Sequence, residues 1–419
     1  MRNRLIRIIV LVLVQVFVIT CSHEIKIHSE RTISESRDAF HEQLISKTIN
    51  AALMTPLNES SEGLWQGAFW AVELSGHRSS LTDSAVTVAV QSFRERSRGF
   101  QRALLEVVYT LYPKEFQQEI LEFLPTLNSE KLFAMAVHYL LKADPELDPQ
   151  TLLSDLDLLY PDWSLDPILW SLVSTLEDTL PNHPPIADLL HAEFISGLPV
   201  LFSFQPENRD YSGLLVIRDA KGNFVKNSHG SLVSMKHLGR AVTNLPWYLT
   251  NGNTPPGIYS IQGLGSSNNV FIGPTPTVQM RMPFEINLAS FMHDPELKQD
   301  WDYQYYDGLL PPTWQDYFPI WGSYFAGEAG RSEIIAHGST INPEYYRDLP
   351  CYPLTPSLGC LTTYEAWSEA DGSLIQSDQQ QLVDLMDKFD IHKGFLVVVP
   401  IPEINHNLEI KDLEVFFSD

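Results

Sequence analysis

The spacing of apolar residues changes character once along this chain, near Pro199, and no single kind of secondary structure satisfies both patterns. Before that point apolar residues recur at helical intervals. Phe100, Leu104, Leu105, Val107, Val108 and Leu111 fall largely on one face, and Phe116, Ile120, Leu121 and Leu124 repeat the pattern beyond Pro113. Leu132, Met135, Ala136, Tyr139 and Leu140 form a third segment ending at Asp144-Pro145. Leu152, Leu153, Leu156 and Leu159 form a fourth, ending at Tyr160-Pro161. The breaks at Tyr112-Pro113 and Asp144-Pro145 lie 32 residues apart, which favours stacked helical hairpins of the solenoid kind. An irregular bundle accounts for the same spacing. Trp65, Trp70 and Trp170 sit among apolar neighbours and read as core.

Beyond Pro199, short apolar runs bounded by turn residues predict strands over 200–204, 214–217 and 258–261. Phe271-Ile272-Gly273-Pro274 is expected to close a hairpin opened through Gly263 to Asn269. Residues 333–336 read as a short buried strand that delivers His337, and 395–399 as the last buried strand. Between them, Leu382, Leu385, Met386 and Phe389 mark one face of a helix over 379–389. The fold class that follows is multidomain: an all-α domain, solenoid-like or a bundle, over residues 22–200, then a mainly β domain with a few helices over 201–405. Residues 406–419 are left as a C-terminal tail. A chain of 419 residues is long enough to bury a core in each part.

Arg2, Arg4 and Arg7 precede an uncharged, mostly apolar run over residues 8–19, the pattern of an export signal. The run is too short to span a bilayer comfortably as a helix. Val18-Ile19-Thr20-Cys21 resembles a bacterial lipoprotein box, which implies a lipid anchor on Cys21 and a periplasmic or cell-envelope location. Thr20 stands where such boxes usually carry Gly, Ala or Ser, so ordinary cleavage and a retained signal anchor are the rival outcomes. A hydrophobic content of 44% and an aromatic content of 11% exclude wholesale disorder. The net charge of −24 disfavours nucleic acid and anionic lipid headgroups as partners. With Cys21 acylated, only Cys351 and Cys360 remain, and in an oxidising compartment the bland reading is a local disulfide between them.

Against that pairing stands the company Cys360 keeps. Ser357-Leu358-Gly359-Cys360-Leu361 forms a glycine turn, and its cysteine follows His337-Gly338 by 23 residues. A thiol near an imidazole supplies a nucleophile and its base. Gly252-Asn253-Thr254-Pro255-Pro256-Gly257-Ile258-Tyr259, then His337-Gly338, then the Ser-x-Gly-Cys turn resemble, in order, three signatures of the bacterial L,D-transpeptidase catalytic domain. The likeness covers roughly residues 205 to 405. It leaves the helical half unexplained, except as a docking or regulatory module for a protein partner. Many members of that family carry a second histidine where this chain has Leu358, and Arg or Asn where it has Thr362. The His-to-Cys interval is also longer here, filled by Pro343, Pro350, Pro353 and Pro356.

The resemblance implies a cysteine acyltransferase acting on peptidoglycan peptide stems, without a cofactor. Cys360 would attack a stem carbonyl to give a thioester, and His337 would take the thiol proton and return it to the leaving amine. The imidazole needs an acceptor to orient it. The Gly338 carbonyl is the one implied by the family, and Ser339 is the side-chain alternative. Gly359 permits the tight turn that aims the Gly359 and Cys360 amides at the oxyanion. Ser357, Leu358, Ser339, Tyr352 and Thr362 are the expected substrate contacts. An amine acceptor gives transpeptidation and water gives carboxypeptidase trimming. The substitutions at Leu358 and Thr362 leave a catalytically inactive, murein-binding scaffold as the reading from another class. Tyr345, Tyr346 and Trp367 read equally as groove lining and as loop packing, and Lys236, His237 and Arg240 as a solvated turn. No HExxH or Cys-x-x-Cys motif is present, so no metal site is expected.

Overall fold

The structure, a computed structural model, describes residues 27–177 and 182–417. The leader and Cys21 therefore lie outside the described residues. Among the described residues no helix is long and apolar enough to cross a membrane.

The first half is helical. Its helix Glu130–Ala143 has nine of fourteen residues buried and packs against Arg98–Leu111, Gln117–Phe123 and Pro167–Leu176. Glu62–Ser75, Arg98–Leu111, Glu130–Ala143 and Pro167–Leu176 each pack on the next in that order, an arrangement that stacked hairpins and an irregular bundle both produce. Local chemistry sets the helix starts: Ser79 caps Ser80–Gln91 through a capping box with Thr82, and Asp166 accepts the Ile168 and Leu169 amides ahead of Pro167–Leu176.

The second half is built on strands β1 (Val200–Pro206), β2 (Gly213–Arg218), β3 (Ser234–Leu238), β4 (Gly257–Gly265), β5 (Thr277–Arg281), β6 (Ala336–His337), β7 (Leu361–Thr363), β8 (Glu365–Trp367), β9 (Leu374–Ser377) and β10 (Gly394–Ile401). Eight of them close a barrel in the order β1-β10-β4-β5-β6-β7-β3-β2, and β8 pairs with β9 apart from it. The β1/β10 and β6/β7 pairs are parallel. Side chains alternate across this wall. Leu201, Leu215, Met235, Tyr259, Val278, Ala336, Leu361 and Leu396, one from each barrel strand, meet in a single cluster with Leu382 and Met386 of the helix Asp378–Lys388. That convergence identifies the barrel interior. Val200, Phe202, Phe204, Val216, Ile258 and Val397 face the other way, under the helices and aromatic residues of 186–191 and 288–325. Both faces are buried, and so the strands read as continuous apolar runs.

The two halves share a core. Leu245, Tyr248 and Leu249, from the loop between β3 and β4, are fully buried inside the helical cluster. Lys131 Nζ donates to Thr250 Oγ1 at 2.7 Å, and Asn251 Nδ2 donates to Glu106 Oε1 at 3.1 Å. The first described residues also join the β half, with the Ser29 amide donating to Gly372 O at 2.8 Å and the Leu374 amide to Ile27 O at 3.0 Å.

Several local expectations are corrected. Residues 271–274 form a turn, with the partner strand of β4 beginning only at Thr277: Pro274 and Pro276 lack the amides a ladder needs, and Phe271 packs on Phe40 and Trp70 of the helical half. Of Lys236, His237 and Arg240, expected in a solvated turn, only Lys236 is exposed, and it lies on a strand. His237 lies on β3, fully buried with Nδ1 bonded to Ser203 Oγ at 2.8 Å, and Arg240 is buried on Asp210 and two carbonyls. Trp65 is core as expected, but Trp70 is 36% exposed. The tail is packed: Leu408 and Leu413 are buried, and Phe417 stacks edge-on against Phe224.

Candidate functional site

Adjacent strands bring Cys360 and His337 to one place. In the parallel β6/β7 pair Ala336 lies opposite Leu361 and His337 opposite Thr362, so Cys360 stands two positions back along the neighbouring chain, on the same face as His337. Strand spacing and rise put their Cα atoms about 8 Å apart. Both line a cavity of about 690 Å³, together with Ser339, Ser357 and Leu358 of the barrel half. The helix Glu62–Ser75 of the helical half also lines it, through Trp70, Glu73 and Leu74.

The turn that carries Cys360 is tied from three sides. Gly359 has φ +117°, a conformation open to glycine, and a Cβ there would overlap the Arg331 guanidinium and meet Gly252 O at 2.8 Å. Ser357 Oγ accepts the Gly359 amide at 3.0 Å and donates to Cys360 O at 2.7 Å. Thr254 Oγ1 donates to Gly359 O at 2.8 Å. Arg331, itself buried, donates to the carbonyls of Trp247, Asn253 and Gly252 and so fastens the Asn253-Thr254-Pro255 loop beneath the turn. The loop sequence and the cysteine turn are thus parts of one support.

His337 is buried, and its Nδ1 donates to Gly338 O at 2.5 Å, which leaves Nε2 as the acceptor. The expected orienting carbonyl is the one present. Ser339 is occupied elsewhere, its Oγ accepting from Thr355 at 2.6 Å and its carbonyl from the Trp367 indole at 2.9 Å. Gly338 is required by Glu365, whose carboxyl a Cβ at that position would overlap. Glu365 receives the Ser339 amide at 3.0 Å and the hydroxyls of Thr275 and Ser377 at 2.7 and 2.8 Å. Burial outweighs those three donors and raises its carboxyl to about 7.

The resting charge state is neutral. Burial pushes the Cys360 thiol up to about 11 against the Ile335 amide and the Arg331 charge, and burial lowers the His337 imidazole to about 4 against its bond to Gly338. The thiol donates to Glu333 O at 3.4 Å. A preformed thiolate, which a nucleophilic cysteine suggests from sequence, is therefore not the resting form. Cys351 and Cys360 are both free thiols, with Cys351 buried against Leu238 and Leu354.

Of the expected substrate contacts, Ser357, Leu358 and Ser339 line the cavity, with Leu358 half-exposed at its mouth. Thr362 does not: it is buried on β7 and donates to Thr355 O at 2.8 Å. Tyr352 is on the surface, bonded to Glu344 at 2.9 Å. Tyr346 and Trp367 are packed inside the loop. Among the described residues no cluster of three or more His, Cys, Asp or Glu side chains is disposed to hold a metal ion. Sequence reasoning missed Arg331, Glu365, Trp70 and Glu73. Arg331 and Glu365 are isolated charges in otherwise ordinary segments, and only their burial reveals them. Comparison with protein-family models, curated proteins and solved structures finds no match.

Proposed function

We propose that this chain is an L,D-transpeptidase-like cysteine acyltransferase acting on peptide stems of peptidoglycan. The carrying observation is the pairing of a thiol on a glycine turn with an imidazole whose Nδ1 is fixed on Gly338 O, both facing one cavity. The imidazole Nε2 is then free to receive the Cys360 proton as the sulfur attacks the carbonyl, so general-base removal replaces a standing thiolate. With the Gly359 amide engaged by Ser357, the Cys360 amide is the turn's donor for the oxyanion. Return of the proton to the leaving amine completes the thioester, and an amine or water then releases the acyl group. Export and a lipid anchor on Cys21 belong to the same reading, as does attachment to the cell envelope.

One observation favours the scaffold reading: desolvation raises the thiol of the half-buried Cys360, and its bond runs to Glu333 O, both of which disfavour a thiolate. Intact-mass spectrometry after incubation with a carbapenem separates the two. A strained lactam carbonyl should leave an adduct on the wild-type chain and on Cys351→Ala, and none on Cys360→Ala or His337→Ala. Absence of adduct and of muropeptide product, with murein binding retained, would establish the scaffold.

A further inference from the structure

The cavity that holds Cys360 is also lined by a carboxyl that the acylation step does not use. Glu73 is 7% exposed, lines the cavity between Trp70 and Leu74, and its Oε1 is buried with no hydrogen-bond partner. Of the polar groups nearby, the Tyr346 hydroxyl feels the Glu73 charge and is itself buried without a hydrogen-bond partner, and the others are committed elsewhere. Arg102 and Asn251 both bond Glu106, each at 3.1 Å, and Lys131 donates to Thr250. Burial first, and then the Glu106 charge, raise Glu73 well above the ordinary carboxyl range, against the pull of Arg102. Burial of that carboxyl without a donor favours its neutral form, and a cation entering the cavity beside it would favour the carboxylate. Beside it the Trp70 indole, 36% exposed, offers a face of the kind that receives ammonium groups.

We propose that Glu73 and Trp70 form the subsite for the amine-bearing acceptor that releases the acyl group from Cys360. The inference rests on the acyltransferase reading above and adds where the second substrate sits. In the release step the bound ammonium first gives up one proton to water; the neutral nitrogen then forms a bond to the thioester carbonyl carbon, the carbon–sulfur bond breaks, and the second proton lost by nitrogen passes through His337 to the Cys360 sulfur. The products are an amide and the free thiol. Glu73 takes no part in that bond change. It holds the acceptor strand by charge, and so assigns the helical half a place in substrate selection.

The test separates the two half-reactions in the full chain, with isolated stem peptides as acyl donor and Nα-acetyl-lysine amide as acceptor. For Glu73→Gln the carbapenem adduct should form at a rate within about threefold of wild type. The ratio of amide product to hydrolysis should fall about ten- to hundredfold, through a raised KM for the amine, the loss expected of one hydrogen bond to a charged group. Trp70→Phe should lower the ratio less. Binding of the same amine to Cys360→Ala, followed by NMR, should weaken on adding Glu73→Gln and gives a readout without turnover. An adduct at normal rate with an unchanged ratio and unchanged amine binding would overturn the subsite and leave the acyltransferase reading standing. A wild-type chain without adduct would overturn both.

Discussion

Replacing Thr254 by valine tests whether the proline loop exists to hold the cysteine turn. Thr254 is fully buried, and its hydroxyl donates to Gly359 O at 2.8 Å. Valine keeps the shape and removes the donor. The Gly359 carbonyl is then left without that partner, which costs about 1–3 kcal/mol. The new methyl also cannot sit where the hydroxyl did, since carbon–oxygen contacts close at about 3.3 Å, so the carbonyl must retreat by roughly 0.5 Å. Gly359 and Cys360 move with it, and displacement of that size at a reacting atom slows acylation about tenfold. Urea unfolding followed by tryptophan fluorescence should show the lowered midpoint, and the rate of carbapenem adduct formation should show the kinetic effect. Thr254→Ser retains the donor and should acylate within about twofold of wild type. A valine variant with wild-type midpoint and wild-type rate would refute the claim that this bond positions Cys360.

Acylation kcat/KM should be flat from about pH 5 to about pH 10, with limbs from His337 near 4 and Cys360 near 11; a limb near neutrality that persists in Glu365→Gln would show an ion pair in the free enzyme. His337 also contributes a stability term: its folded value lies below the unfolded 6.5, so the contribution is complete above pH 6.5 and is lost as pH falls toward 4. The difference of about 2.5 units corresponds to about 3 kcal/mol, and His337→Asn should unfold with a flatter acid dependence over that window. Glu365 has the opposite sign, its raised value giving stability that is present below 4.5 and lost as pH rises through about 7, so Glu365→Gln should abolish a decline measured by urea midpoints between those values. A chain beginning at Val200 exposes Leu245, Trp247, Tyr248, Leu249 and Phe271 and should bind a hydrophobic dye or aggregate; a monomeric, dye-silent β domain would show that the shared core is dispensable.

Those predictions draw unequally on what the residues disclose by themselves. The helix Arg98–Leu111 and strands β1, β2 and β10 were legible because their apolar spacing is set by local burial on one or two faces. Strand β3 was not. Its Lys236 and His237 look polar in sequence, and only the barrel's closure buries the imidazole against Ser203. The pair Cys360 and His337 was legible from residue type and order, whereas the distance between them depends on β6 and β7 lying parallel, which strands of two and three residues cannot announce.

The sharpest limit is the direction of the thiol's shift. From sequence, a cysteine near a histidine points to an activated thiolate, because both groups are pictured in water. In the structure the imidazole is buried and the thiol half-buried, and desolvation moves the acid up and the base down, to about 11 and about 4. The pair is therefore stored neutral, with Nε2 held ready by the Gly338 carbonyl. Charge develops only when a carbonyl is present to receive the sulfur and an amide to receive the oxyanion. The same desolvation acts on Glu73 in that cavity, where Arg102 only partly offsets it and Oε1 has no hydrogen-bond partner. Two desolvated groups lining one cavity thus both stand ready for what a substrate would bring, an electrophilic carbonyl for the thiol and a cation for the carboxyl, and a stem donor and an amine acceptor supply one each.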